Sequence, residues 1–406
     1  MARILILHAS VGLGHRRAAE ALGRAFALRG AGQVWIEDTL AHGPALFRQL
    51  YAGSYLELSE KAPALWAYFY ERSDENETRL TRDLRAFVER LGTSGLAALV
   101  RRCQPDAIVC THFLPLELLA DWRRREAHAP LLVCVVTDYT GHVFWVKPEV
   151  DRYCVATPLT GQMLARRGVP PARIAVTSIP VDPAIAEPKD RDQLRRTYRL
   201  ERAPVVTLMG SGLAVERVLR IVTDLLDQGR IGSLAVVAGR NTALTAALAE
   251  LERAAAGRLH ALGFVDYVDD LVAASDLVIT KAGGLIVSEV LARGRPLVVI
   301  DPIPGQEEWN ADYVVSAGAG LQLRLGAMVP AAVEHLLTHS RHRQVLADGA
   351  RRAGKPGAAL AIADLVLAAI AERPGAAGPA PPRRRSQPAA APAAVGPGDG
   401  GDGDRR

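Results

Sequence analysis

Residues 276–310, DLVITKAGGLIVSEVLARGRPLVVIDPIPGQEEWN, constrain the fold more than any other stretch of the chain. The β-rich apolar run Leu277–Thr280 meets the pair Gly283 and Gly284, after which Ile286, Val287, Val290 and Leu291 recur at helical spacing. A second apolar run, Pro296–Ile300, leads into Asp301-Pro-Ile-Pro-Gly-Gln-Glu-Glu-Trp-Asn310. Strand, glycine turn, helix and strand make a βαβ unit. Its glycines let backbone approach a ligand closely, and the free N–H groups and dipole of the helix start suit a phosphate. Glu289 lies about one turn inside the helix. Its carboxylate either accepts from two ribose hydroxyls beside such phosphates or is a solvated helix side chain. Gln306, Glu307 and Asn310 sit on a proline-stiffened loop at the carboxyl end of a strand, where α/β sheets bind ligands, and are suited to read sugar hydroxyls.

The same device opens the chain. Residues 3–8 read as a strand, Ser10-Val-Gly12-Leu-Gly14 as a loop, and a helix is expected from near His15 to about Leu28. This is no dinucleotide fingerprint, because His-Arg-Arg stands in place of the third glycine. At a helix N-terminus the dipole is expected to keep the His15 imidazole neutral and able to accept a proton near pH 7, unless it only bonds locally. Arg16 and Arg17 either meet an anionic lipid headgroup or face solvent. Strands are expected at 107–110 and 131–136, the second running into Thr137-Asp138-Tyr139-Thr-Gly-His142-Val-Phe-Trp145. Here Asp138 is placed to orient or activate an acceptor. His142 and Trp145 are placed to hold it, with core packing the alternative for Trp145.

A second βα series starts at Val205–Met209 and turns at Gly210, Ser211 and Gly212; a later strand ends in Gly239, Arg240 and Asn241. Arg240 is suited to neutralise a diphosphate. The proline-bearing stretch 181–203 reads as a linker. Two Rossmann-like α/β domains follow, residues 1–180 and 204–357, with a closing helix at 358–373. Residues 374–406 are Ala, Pro, Gly and Arg with little to bury, and disorder is expected there.

The pattern TKAGGxxxSExxxxGxP followed by GQExxN resembles the nucleotide-sugar site of the inverting glycosyltransferases that include monogalactosyldiacylglycerol synthase, processive diacylglycerol glucosyltransferases and the lipid II-forming N-acetylglucosaminyltransferase. The resemblance implies the GT-B fold, acceptor domain first and donor domain second. It implies that Gly283 and Gly284 lie at the diphosphate, Glu289 at the ribose, and Gln306 and Glu307 at the donor sugar, with Lys281 and Asn310 among the donor-binding residues. Gly210, Ser211, Gly212, Arg240 and Asn241 resemble the other donor loops, and Phe264 and Val265 the stretch bordering the uracil. The loop with Gly12, Gly14, His15 and Arg16 is similar to the acceptor-side loop, whose histidine is the favoured base, with Asp138 second. Tyr139, His142 and Trp145 resemble a signature of the diacylglycerol branch. The implied reaction moves glucose or galactose from a UDP-sugar to diacylglycerol, with inversion and without a metal or other cofactor. The related alternatives are transfer of N-acetylglucosamine to a lipid-linked acceptor, UDP-sugar 2-epimerisation, and a nucleotide-sugar-binding regulator without turnover. The opening loop has fewer glycines than the family pattern, and the tail has no counterpart in it.

Charge bears on partners. The net charge is +5, and residues 1–180 carry 22 basic against 18 acidic side chains. This mild excess suits anionic membrane lipids better than a duplex groove, which asks for a concentrated patch, and no nucleic-acid partner is expected. The aromatics Phe47, Tyr51, Tyr55, Trp66, Tyr68, Phe69 and Tyr70 suit either a bilayer interface or a helical core. The absence of an uncharged apolar run of 18 residues argues against a spanning helix. The start reads as a strand rather than a leader. A cytoplasmic protein, peripheral on the inner face of the membrane, is expected. The four cysteines lack metal or redox spacing and read as buried thiols.

Overall fold

The computed structural model describes residues 1–44, 94–126, 129–305 and 307–373. The aromatic stretch 47–70, Gln306 and the tail 374–406 lie outside the described residues. Two six-stranded parallel sheets organise the rest. The first holds β1 (Arg3–His8), β2 (Gln33–Asp38), β3 (Ala107–Cys110), β4 (Leu131–Val135), β5 (Arg152–Val155) and β6 (Ile174–Val176), in the order β2-β1-β3-β4-β5-β6. The second holds β7 (Val205–Met209), β8 (Ser233–Val237), β9 (Leu259–Leu262), β10 (Leu277–Thr280), β11 (Leu297–Ile300) and β12 (Gly320–Leu323), in the order β12-β11-β10-β7-β8-β9. Strands such as AIVC and LVIT are apolar throughout because helices cover both faces of each sheet. Strand order reverses between β1 and β3 in one sheet and between β7 and β10 in the other. At such points the loops part and leave a crevice at the carboxyl ends of the strands.

The last helix, Ala358–Ala371, returns to the first domain. Ala359, Ile362, Ala363 and Val366 share a core with Ile4, Leu22, Phe26 and Val133. The Arg29 guanidinium grips Asp364 through two bonds of 2.6 and 2.9 Å. The stretch between the sheets is anchored rather than free: Arg191 and Arg195 reach Asp276 at 2.6 and 2.8 Å. Residues Ser340–Ala371 together match a spanning segment in length and hydropathy. The chain breaks there at Gly354–Gly357 into two helices of 14 residues each. At about 1.5 Å per residue neither reaches across a hydrocarbon core of about 30 Å. All four cysteines are buried thiols.

Candidate active site

The two reversal points face each other, and each delivers a helix start without a side-chain cap, leaving N–H groups open to the junction. On the first domain, Gly12 at φ +111° turns the loop after β1 so that the helix Gly14–Leu28 begins beside the ends of β3 and β4. His15 Nδ1 lies 2.8 Å from the Thr111 carbonyl oxygen and 3.0 Å from Thr137 Oγ1. A carbonyl only accepts, so Nδ1 carries the hydrogen and Nε2 keeps its lone pair. Burial pulls the His15 pKa down to about 4, against the opposing pull of the Thr111 carbonyl. The ring is therefore neutral at pH 7. Burial, rather than the helix dipole, is the larger cause.

Arg16 and Arg17 diverge. Arg16 stays on its own helix with Glu20 at 2.8 Å, more than half exposed. Arg17 crosses the junction to Glu289, 2.7 Å away. Glu289 is 4% exposed, which removes the solvated-helix alternative, and its Oε2 is buried with no hydrogen-bond partner. Burial raises its pKa to about 7, outweighing Arg17. A buried oxygen without a donor calls for a ligand or water.

The donor-side glycines are shaped by the other domain as well as by any ligand. A Cβ on Gly284, the first residue of the helix Gly284–Ala292, would collide with the Thr137 carbonyl oxygen across the junction. Beside it, Lys281 Nζ lies 3.4 Å from the carbonyl oxygen of Gly212, a residue at φ +77°, and 3.7 Å from Glu307 Oε2. Glu307 accepts from the Ile303 N–H at 2.8 Å, and burial pushes its pKa up while Lys281 opposes the rise. Lys281, Gly212, Gly283 and Glu307 thus converge on one place. Gly210 and Ser211 line the turn after β7, packed on Leu244 and Gly239. Arg240 lies over the exposed ring of Phe264, 5.2 Å from its centroid, while Val265 packs on the core. The Asn241 side-chain oxygen caps the helix Thr242–Ala254 through Leu244 N–H at 3.0 Å.

Five predicted residues lie deeper than a ligand surface. Asn310 is wholly buried; its oxygen accepts from Tyr139 N–H at 2.8 Å, and its amide reaches the Ala282 carbonyl at 2.9 Å and Asp138 at 3.4 Å. In this arrangement Asn310 ties the domains and does not face a sugar. Tyr139 likewise spans the junction, its hydroxyl 2.9 Å from Ser288 and its ring stacked on Tyr313 at 4.0 Å. Trp145 is 1% exposed in the first-domain core, which is the packing alternative, and the buried His142 caps Phe144 N–H at 3.2 Å. Asp138 is buried beside Asn310.

The description of the monogalactosyldiacylglycerol synthase family matches residues 15–181, and that of the glycosyltransferase family 28 C-terminal domain matches residues 215–363. The two halves of the chain thus resemble two glycosyltransferase domains, and the chain is a UDP-sugar glycosyltransferase of the GT-B fold. It is 28% identical over 337 residues to the processive diacylglycerol beta-glucosyltransferase of Bacillus subtilis, covering 82% of this chain and 87% of that one. With the enzyme of the same name from Bacillus cytotoxicus the identity is 28% over 368 residues, covering 90% and 93%. Among solved structures, MurG of Acinetobacter baumannii superposes with a TM-score of 0.59 at 15% identity, covering 91% of this chain and all of that one, a likeness of fold.

Within this glycosyltransferase, sequence reasoning missed Thr111 and Thr137 as the groups that set the His15 tautomer. It also missed Ser288 and Tyr313 as partners of Tyr139, and the Arg17–Glu289 pair. Thr111 had a usable signal: it follows β3 at the carboxyl end, the topological position that drew attention to Thr137. The pairing of Arg17 with Glu289, 272 positions later in the chain, had none.

Proposed function

We propose that the enzyme transfers glucose or galactose from its UDP donor to the 3-hydroxyl of 1,2-diacylglycerol with inversion, giving a β-glycosyldiacylglycerol. It works from the inner face of the cell membrane, on a surface bearing anionic lipids. The observation that carries this reading is the pairing at the junction of a neutral imidazole with an open Nε2 and a buried carboxylate with an unpartnered oxygen. The names of the Bacillus relatives support the acceptor.

In this scheme the ribose hydroxyls donate to Glu289, and the diphosphate lies against the N–H groups at Gly283 and Gly284 with Lys281 and Arg240 nearby. Glu307 and Gln306 hold the hexose. The diacylglycerol oxygen attacks C1 from the face opposite the diphosphate, the bond from C1 to the UDP oxygen breaks, and the hydroxyl proton passes to His15 Nε2. The departing charge is met by helix N–H groups and cationic side chains, with no metal in the scheme. A pKa of about 4 is low for a general base; the negative donor beside His15 raises it toward the working range. The test is purified enzyme with anionic liposomes containing diacylglycerol and a panel of UDP-sugars. Glycosylated lipid under UDP-glucose or UDP-galactose is the expected outcome, and unmodified lipid under every donor overturns it.

A further inference from the structure

The second domain has a cavity on the side away from the junction. It occupies about 140 Å³ and is walled by Arg191, Arg295, Arg343 and Arg351 with Asp276 and Gln344. Asp276 immediately precedes β10 and Arg295 lies two residues before β11, so the cavity opens at the amino ends of the strands, opposite the donor crevice. Its charges do not balance. The Asp276 carboxylate is already shared between Arg191, Arg195 and the Val205 N–H at 2.7 Å. Arg351 pairs with the exposed Asp348. Arg343 bonds only the neutral carbonyls of Leu336 and Leu337, at 3.1 Å each. Arg295 donates to the Ala273 carbonyl, and its buried Nε has no hydrogen-bond partner. Among the described residues, neither Arg343 nor Arg295 has a carboxylate partner.

We propose that this cavity is a second ligand site, distinct from the donor crevice, which takes a phosphate-bearing anion between Arg295, Arg343 and Arg351. Guanidinium forks match phosphate oxygens, and a dianion balances the two unpaired cations. Burial and the neighbouring Arg191 lower the Arg295 pKa to about 10, as expected of a cation lacking its counterion. The site also touches the donor machinery. Gly294, in the cavity wall, ends the helix that carries Glu289, and a Cβ on Gly354 would collide with the Leu291 carbonyl of that helix. A bound anion therefore links the Glu289 helix to the helix Ser340–Ala353.

The test titrates pyrophosphate into full-length enzyme saturated with UDP, so that the donor crevice is filled, with Arg343→Ala/Arg351→Ala as the comparison. Pyrophosphate is expected to bind the wild type and to lose at least tenfold in affinity in the double variant, with Arg343→Lys/Arg351→Lys in between. If the double variant fails to fold, Gln344→Glu, which places a carboxylate in the wall, is expected to show the same loss. Co-sedimentation with phosphatidylglycerol vesicles separates the sources. A parallel loss identifies a lipid headgroup, and unchanged vesicle binding alongside lost pyrophosphate binding identifies a free anion. Equal pyrophosphate affinity in wild type and variants, or no binding to the UDP-saturated wild type, overturns the proposal. The comparison between variants reads the site even if UDP itself fails to bind.

Discussion

The helices Gly14–Leu28 and Gly284–Ala292 are the same local device used twice, an uncapped start at a sheet's reversal point, yet they carry opposite chemistry. The first presents an imidazole that burial keeps neutral, with its free nitrogen defined by the Thr111 carbonyl. The second presents a carboxylate that burial drives toward the neutral form, with one oxygen unpartnered. Topology supplies the open N–H groups to both sides, and the side chain each helix carries, His15 at its second residue or Glu289 about one turn in, decides whether that side accepts a proton or holds a ligand.

Breaking the first side should have the largest effect. His15→Ala is expected to lower kcat about 10²- to 10⁴-fold, the usual worth of a general base, while UDP affinity is preserved. Single-turnover rates beside calorimetric UDP titration separate the two, and full turnover in the variant removes His15 from the reaction. Breaking the second side should do the reverse. Glu289→Ala is expected to weaken UDP binding about 10- to 100-fold, since hydrogen bonds to a charged group contribute about 1.5–3 kcal/mol.

The two sides also leave opposite marks on stability. The folded-state pKa of Glu289 is raised from 4.5 to about 7, so the folded state binds more protons than the unfolded chain across that window. The stability it contributes is present below pH 4.5 and lost as pH rises through about 7. His15 is lowered from 6.5 to about 4, so its contribution is present above pH 6.5 and lost as pH falls through about 4. Each is of order 1–3 kcal/mol. In unliganded enzyme, Glu289→Gln is expected to abolish the loss between pH 5 and 8, and His15→Gln the loss on acidification. Urea unfolding of both variants across pH 4–8 reads the slopes, and identical profiles for both variants would erase the distinction.

Legibility in the sequence followed the range of the interactions. The βαβ units, the glycine turns and the two-domain plan rest on spacing and local backbone demands, and stretches such as 276–310 display them directly. Burial across the junction did not show. Nothing near Asn310 or Tyr139 in sequence indicates that they bond one another, and an aromatic at a strand end suits a pocket and a core equally until the opposing surface is known. Gly284 is instructive, because its glycine was readable while the Thr137 carbonyl that requires it was not.

The adjacent arginines sharpen the comparison with the smallest effect. Arg16 is an exposed i,i+4 partner of Glu20, a kind of pair that contributes about 0.3–0.5 kcal/mol and is screened by salt. Arg16→Ala is therefore expected to leave UDP affinity unchanged and to shift unfolding by no more than that amount. Arg17→Ala leaves Glu289 buried without the cation that pairs with it among the described residues, so the carboxylate should titrate above its present value of about 7. Because the protonated acid is a poorer acceptor, UDP affinity in this variant should fall at pH 7 and recover toward pH 9. A flat affinity profile for Arg17→Ala over that range would mean that the ion pair positions Glu289 without governing its charge.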